Sequence, residues 1–173
     1  LSLVRRFAAY LNANGVEVPV IPNGLLPARK PRAVPFIYSQ DDLDALLAAC
    51  NTEFADELIA ATVHTVIGLL AATGLRIGEA LNLRVDDIDH DNDVLVIKAA
   101  KSAERLVPMH VSTTTALRQY IALPARMATH PDPHGHVFVT STGTRYAYVT
   151  FQGRFKRVRE AAGLTPRGRA RPR

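Results

Sequence analysis

The sequence predicts a mainly α-helical fold with a small antiparallel β-sheet (α+β). Apolar residues recur at helical spacing in several segments, and these segments begin or end at residues suited to helix termini. Two short β-type runs, residues 94–98 and 105–109, are separated by six residues, which is typical of a hairpin. The predicted order is helices, hairpin, helix, strand and helix, and this order favours segregated α and β elements over a parallel α/β sheet.

The first 36 residues predict a helix and then a linker. Residues 1–15 place apolar side chains at helical spacing and end at Gly15. Residues 16–36 hold five of the 11 prolines and a short basic patch, and each proline removes a backbone donor and fixes its φ angle. We expect helix 1–15 to close an upstream domain, residues 16–36 to form an extended basic linker, and residues 37–173 to begin a second domain.

The second domain is expected to open with a well-capped helix. Ser39 can cap it, and Asp41 and Asp42 suit the positive end of the helix dipole. A later helix is expected to run from Ile77 through Leu81 to Val85, because these apolar residues recur every four positions.

Residues 53–72 predict a longer helix in the centre of the fold. The 18 residues 58–75 carry no formal charge, a length that touches the threshold for a membrane span. His64 and Gly68 interrupt the run, however, and Arg76 follows at once. We therefore predict a buried central helix and no membrane partner.

After the hairpin the sequence predicts a helix, a strand and a final helix. Ser112 or Thr113 is expected to cap the helix, which extends to residue 123. Residues 136–140 are β-type and predict a third strand, and residues 148–164 predict an amphipathic helix that Gly163 ends.

Composition and charge narrow the class of protein. A single cysteine, Cys50, excludes an internal disulfide framework and fits a reducing, cytoplasmic compartment. The net charge is +5, and residues 154–173 carry eight basic residues against one acidic residue. This basic end predicts an anionic partner, with nucleic acid the leading candidate, although charge alone favours a solvated tail equally.

Two segments resemble metal sites and fail the test of spacing. A calcium loop that starts at Asp89 would need glycine and glutamate where Val94 and Ala100 stand, so a polar turn is expected there. His130, His134 and His136 cluster in one loop, but no Cys or Glu has matching spacing. We predict no metal.

The segment "ATGLRIGEALNLRVDDID", residues 72–89, contains the main candidate site. Gly74 can take the left-handed conformation that ends one helix, which places Arg76 in the first turn of the next. An arginine is unfavourable there unless a negative group lies nearby, and Glu79 at i+3 can orient its guanidinium. The free side of the guanidinium could hold two phosphate oxygens, although the spacing alone favours an ordinary exposed ion pair.

This segment, followed by a hairpin and "RLVPMH", resembles the catalytic domain of the tyrosine recombinases, the phage integrase family. The resemblance extends through "HVFVTSTGTRYAYVTFQGRFKRVREAAGL" and covers about residues 39–165. It implies a DNA strand transferase that acts through a 3′-phosphotyrosyl link, needs neither metal nor other cofactor, and assembles as a homo-tetramer on double-stranded DNA. By the same resemblance, residues 1–15 are the last helix of an N-terminal DNA-binding domain, and residues 37–173 are the first part of the catalytic domain.

The resemblance also implies roles for individual residues. Arg76 would be the first of two arginines that hold the phosphate oxygens, and Glu79 would support it. The family uses a lysine in the hairpin as the acid that protonates the leaving oxygen, and Lys101 is our candidate, with Lys98 as the alternative.

The exposed face of the last helix, which includes Arg154, Lys156 and Arg157, is the expected DNA contact.

The family's second motif, His-x-x-Arg, does not occur in the 173 residues, and neither does the nucleophilic tyrosine that would follow it. The polypeptide is therefore expected to be either a piece of a site-specific recombinase or a remnant that binds DNA without catalysis. A third hypothesis, a helical interaction domain with an incidental basic tail, does not require the Arg76/Glu79 pair or a hairpin lysine.

Overall fold

The computed structural model describes residues 2–22, 34–99 and 102–166. It divides into two compact units, Leu1–Val34 and Pro35–Arg173. In the first unit, helix α1 spans Ser2–Ala13, and Gly15 takes a positive φ of 81° beyond its end. The Arg5 guanidinium donates to the carbonyls of Ile21 and Pro22, at 2.9 and 2.7 Å, and so holds the chain after α1 against the helix.

The second unit opens with two capped helices, of which the cap at Ser39 was predicted. Helix α2 spans Gln40–Glu53; Ser39 caps its start as the sequence predicted, and Asp42 also accepts from the Ser39 amide, which completes a reciprocal capping box that was not predicted. Helix α3 spans Glu57–Thr73 and is capped by Asp56, whose side chain accepts from the Ile59 amide. The predicted start of the central helix at residue 53 is wrong, because α2 continues through Glu53 and the chain becomes extended at Phe54.

Helix α3 is the centre of the core. Val63 and Val66 are fully buried, and Leu69 is nearly so. The helix contacts α2 and four later helices, α4 (Ile77–Asn82), α5 (Val111–Ile121), α6 (Pro124–Met127) and α7 (Tyr148–Ala161). None of the described helices combines the length and the apolar character that a bilayer crossing requires.

Helix α4 is shorter than predicted. It ends at Asn82, and Val85 belongs to a separate 3₁₀ turn, Val85–Asp87. The backbone between them is held from the side, because the Leu83 carbonyl accepts from the Val137 amide and the Val85 amide donates to the Gly135 carbonyl, both at 2.9 Å. These bonds replace the helical ones and end the helix.

The predicted hairpin is confirmed, but the predicted third strand is wrong. Strands β2 (Val94–Ala99) and β3 (Ser102–Pro108) pair antiparallel, with Ile97 opposite Arg105. The third strand is β1 (Ile88–Asp89), which pairs with the other side of β2. Residues 136–139 instead form a buried extended segment with only isolated bridges, among them Arg84 to His136.

The later helices differ from expectation at the cap and the end of α5, which stops at Ile121, and at the end of α7, which stops at Ala161. Helix α5 is capped by His110, whose ring nitrogen accepts from the Ser112 amide, and not by Ser112 or Thr113. Helix α7 is followed by Gly163 at a φ of 68°, as predicted.

Candidate functional site

The site is built on a sharp turn between α3 and α4. Gly74 adopts the left-handed conformation (φ 65°, ψ 19°), and its amide donates to the Leu70 carbonyl, as the sequence predicted for the end of α3. Leu75 then packs into the core. The turn therefore leaves Arg76 at the surface, directly in front of α4.

Arg76 and Glu79 form the predicted pair, with one difference in position. Arg76 is the residue that caps α4 and does not lie in its first turn. Its amide donates to Glu79 Oε2 at 2.8 Å, and its guanidinium Nη1 donates to Oε1 at 3.1 Å. The Arg76 side chain is 80% exposed, whereas that of Glu79 is 19% exposed. The guanidinium is thus oriented by a largely covered carboxylate while most of its surface faces solvent.

Arg105 is a third member of the site that the sequence analysis missed. It lies on β3, and its Nη2 is 2.8 Å from Glu79 Oε2. The Arg76 amide, above all, holds the pKa of Glu79 below its usual value, and the two guanidinium groups act in the same direction. Partial burial opposes this effect without reversing it. Glu79 therefore carries its charge at neutral pH and binds both arginines.

The structure describes one of the two candidate hairpin lysines, Lys98. Lys98 lies on β2 and donates to Asp87 Oδ1 at 2.7 Å. Asp87 is 8% exposed, and its other oxygen accepts from the Arg84 amide at 3.0 Å. The hydrogen bond that Lys98 donates to Asp87 raises the pKa of Lys98. Lys101, the preferred candidate for the acid, lies outside the described residues, and its role stays a prediction.

A cavity of about 210 Å³ lies where α4, the 3₁₀ turn and β2 meet. Glu79, Asp87 and Lys98 are among the residues that line it. Glu79, which orients Arg76, and Lys98 of β2 therefore line the same cavity.

The three basic residues predicted on α7 have different environments. Arg154 is half-buried, donates to the Tyr146 hydroxyl and lies 5.1 Å from the centre of that ring. Arg157 is 2.7 Å from a Glu53 carboxylate oxygen and lies over the ring of Phe54. Lys156 is exposed, and its amine is 3.9 Å from Glu160. Both arginines thus have contacts within the fold, and DNA contact by any of the three remains a prediction.

The two segments that resemble metal sites have other partners. Asp89 accepts from the amides of Asp91 and Asn92, as expected for a polar turn. His134 Nδ1 is 2.8 Å from Asp86, and this contact raises the pKa of the His134 ring. Within the described ranges, no three His, Cys, Asp or Glu side chains come together in a way that could hold a metal.

Comparison with known proteins places this geometry in a family. The sequence model of the phage integrase family matches residues 37–172. The chain belongs to the phage integrase family. The resemblance seen in the arginine segment and the hairpin is thereby confirmed, and the second unit is a tyrosine recombinase catalytic-domain sequence.

Curated relatives of this integrase chain are similar over most of its length. A putative integrase/recombinase of Sinorhizobium fredii, y4rB, is 38% identical over 151 residues, which cover 84% of the chain and 48% of the relative. The tyrosine recombinase XerC of Pseudomonas fluorescens is 30% identical over 156 residues, which cover 90% of the chain and 50% of the relative. The integrase chain thus spans about half the length of the curated relatives it matches.

Solved structures share the fold at low sequence identity. A lambda integrase dimer bound to a COC′ core site superposes with a TM-score of 0.70 at 14% identity, over 95% of this chain and 44% of that one. The XerA recombinase gives a TM-score of 0.62 at 24% identity, over 89% and 51% of the two chains. These likenesses confirm the predicted fold class, mainly α with a small antiparallel sheet.

Proposed function

We propose that this chain supplies the first part of the catalytic domain of a site-specific DNA recombinase, acting in DNA integration and recombination, with Arg76 as a phosphate contact. The observation that carries the proposal is the Arg76 guanidinium itself. It is mostly exposed yet held by Glu79, and Arg105 binds the same carboxylate. Two guanidinium groups share one negative charge, so the cluster keeps a net positive charge that an anion can neutralise.

The role of Arg76 in this proposal is electrostatic. The five-coordinate transition state of the phosphoryl transfer carries more negative charge on its non-bridging oxygens than the ground-state phosphodiester does, and a pre-oriented guanidinium stabilises that charge without reorganising. Glu79 fixes the orientation through both of its oxygens. The strand would be cut by a tyrosine that forms a phosphotyrosyl link, and no tyrosine of this chain is assigned that role.

Lys101 is proposed as the acid that protonates the leaving 5′-oxygen, with Lys98 as the alternative. Arg154, Lys156 and Arg157 are proposed as contacts to the DNA backbone. Residues 1–15 and 16–36 are proposed as the closing helix of an N-terminal DNA-binding domain and its linker. Lambda integrase has been solved as a tetramer bound to a Holliday junction, and we propose that the complete protein forms a homo-tetramer on DNA in the same way.

The decisive experiment measures strand cleavage by the natural protein that contains this chain. The substrate is duplex DNA with its target site, and the product is a covalent protein–DNA adduct on a denaturing gel. Removing one pre-oriented donor to a transition-state oxyanion costs about 10²–10³ in rate, so Arg76→Ala should abolish visible adduct. DNA affinity should change by less than about threefold, because this interaction forms mainly in the transition state.

Arg118→Ala is the matched control, because Arg118 is an exposed arginine on α5, outside the site. Normal cleavage by Arg76→Ala, with DNA affinity lost, would contradict the assignment. Lys156→Ala should weaken binding to all sequences and lower the slope of log K against log salt by about one unit. An unchanged slope would show that this face of α7 does not contact DNA.

A second candidate function, DNA binding without catalysis, rests on the basic charge of residues 154–173 and on the exposed Lys156 of α7. The same gel separates the two functions. A remnant would bind duplex DNA with the salt dependence of phosphate contacts and would give no covalent adduct. A recombinase would give the adduct, and Arg76→Ala would remove it.

A further inference from the structure

The segment from Arg76 to Asp87 contains one local arrangement twice. In the first copy, the Arg76 amide donates to the Glu79 carboxylate three residues later. In the second copy, eight residues further on, the Arg84 amide donates to the Asp87 carboxylate three residues later. Each carboxylate thereby closes the start of a helical turn, α4 in one case and the 3₁₀ turn in the other.

Each of these two carboxylates also binds one cation from the β2–β3 hairpin. Glu79 binds Arg105 of β3 at 2.8 Å, and Asp87 binds Lys98 of β2 at 2.7 Å. A carboxylate has enough lone pairs to accept an amide and a cation together. Since both carboxylates are largely covered, these pairs are less screened by solvent than ordinary surface pairs.

The hairpin needs such links because its two strands are anchored unequally. In β2, Leu95 and Ile97 are buried in the core. In β3, none of the side chains that the structure describes is buried; Val107 is half-buried and Leu106 is exposed. The outer strand of a small sheet with little apolar burial opens readily, so its ion pair with the body contributes a large part of its restraint.

We propose that Glu79 and Asp87 form a two-point clamp that fixes the β2–β3 hairpin against α4 and the 3₁₀ turn, and that Arg105 and Lys98 are positioning residues. The clamp couples the hairpin to the carboxylate that orients Arg76, so the two parts of the site keep one relative geometry. In this respect the inference rests on the proposed function.

The clamp assigns Lys98 a role that differs from that of an acid. Its ammonium is held by a nearly buried carboxylate, and that contact raises the pKa of Lys98. A higher pKa makes the ammonium a weaker proton donor. Arginine at position 98 cannot act as a proton donor at neutral pH but can bind Asp87, so Lys98→Arg separates the two roles.

The first test uses the 173-residue chain alone and measures backbone amide exchange by NMR. Lys98→Gln and Arg105→Gln remove one charge each, and each should raise exchange of the β3 amides by about two- to fivefold, the range for loss of one partly screened pair. Exchange of the Arg84 amide should rise with the first variant and that of the Arg76 amide with the second. Lys98→Arg and Arg105→Lys should return the rates to those of the wild type.

Lys156→Gln is the control, because it removes an exposed cation from α7. Unchanged β3 exchange in both glutamine variants would overturn the clamp. Equal disruption by the conservative and the glutamine variants would overturn it as well, because it would show that the shape of the side chain and not its charge holds the hairpin.

The second test measures cleavage by the natural protein that contains this chain. Both glutamine variants should slow adduct formation about tenfold, since small displacements of a catalytic group cost one to two orders of magnitude in rate. Lys98→Arg should cleave nearly normally; if it is as inactive as the glutamine variant while β3 exchange is normal, Lys98 is the acid, and the loss of cleavage does not come from displacement of the hairpin. If the wild type forms no adduct but exchange behaves as expected, the clamp stands and the proposed function fails.

Discussion

Replacement of Arg126 by methionine should destabilise the fold more than any change at the exposed site. Arg126 lies on α6 and is 2% exposed. Its guanidinium donates to three backbone carbonyls, those of Val137 at 2.9 Å and of Ile121 and His136 at 3.1 Å. The arginine thus joins the end of α5 to the buried segment that flanks α4.

The loss of stability in Arg126→Met follows from the three backbone carbonyls that would lose their donor. A buried acceptor without a donor costs about 1–3 kcal/mol, and three carbonyls would lose their bonds to Arg126. Part of this cost is returned, because burial lowers the pKa of Arg126, which shows that the charged guanidinium is disfavoured where it lies. Methionine retains most of the volume, so the cavity contribution is small. We expect a net loss of about 3 kcal/mol.

Urea denaturation followed by circular dichroism measures this loss as a lower midpoint at an unchanged slope. Arg118→Met is the control, because it makes the same chemical change at an exposed position of α5 and should alter stability by less than about 0.5 kcal/mol. If Arg126→Met unfolds within about 0.5 kcal/mol of the wild type, the three hydrogen bonds do not outweigh the burial of the charge, and the reasoning is wrong.

Three further predictions concern titration and backbone conformation. Glu79→Gln should lower the melting temperature at pH 7 and have less effect at pH 3, because the folded-state pKa of Glu79 is depressed and its stabilisation is lost as the pH falls through that value. An equal effect at both pH values would contradict this. Burial lowers the pKa of His64 below 6.5, so folding should weaken as the pH falls below about 6.5 and His64→Gln should flatten that slope in urea titrations. Gly74→Ala should destabilise by about 1–2 kcal/mol because its φ is positive. Gly68→Ala should stabilise by about 1 kcal/mol, because this glycine is inside α3 and an added Cβ would meet nothing within 4 Å. Midpoints that move in the same direction for both glycines would refute the conformational argument.

Sequence reasoning succeeded where one local interaction determines the structure. The predicted cap at Ser39 needs only a hydrogen bond to an amide three residues later, and the structure contains it. Gly74 ends α3 in the left-handed conformation because a residue without a Cβ adopts it at little cost. The Arg76 and Glu79 pair is also local, so spacing alone placed the two charges together.

Prediction failed where contacts distant in sequence decide between two local possibilities. Residues 136–139 have the composition of a strand, but they lie buried beside the Leu83 segment and form isolated bridges. A short apolar run cannot be assigned to a sheet without knowing which edge is free. The edge of β2 is taken by Ile88–Asp89, two residues that carry no strand signal of their own.

At the candidate site, too, the local pair was predicted and the contacts distant in sequence were not. Sequence reasoning did not identify Arg105 and Asp87, although both contact predicted residues. Arg105 binds Glu79 and Asp87 binds Lys98 only once the hairpin has folded against α4 and the 3₁₀ turn. One signal was present in the sequence: the pattern of an arginine followed three residues later by an acid occurs at 76–79 and again at 84–87. Read as two caps, the repeated pattern would have placed one carboxylate at the start of α4 and the other at the start of the 3₁₀ turn.

The arrangement of charges explains how an exposed arginine can be held in one orientation. A lone i,i+3 pair at a surface contributes little, since solvent competes for both partners. Here the Glu79 carboxylate is already fixed by a backbone amide and by Arg105. The pair with Arg76 therefore forms with little further loss of Glu79 side-chain entropy. Only the Arg76 side chain remains to be ordered. Its guanidinium can then remain open to solvent and still keep one orientation, as the proposed phosphate contact requires, and this orientation depends on the anchoring of Glu79.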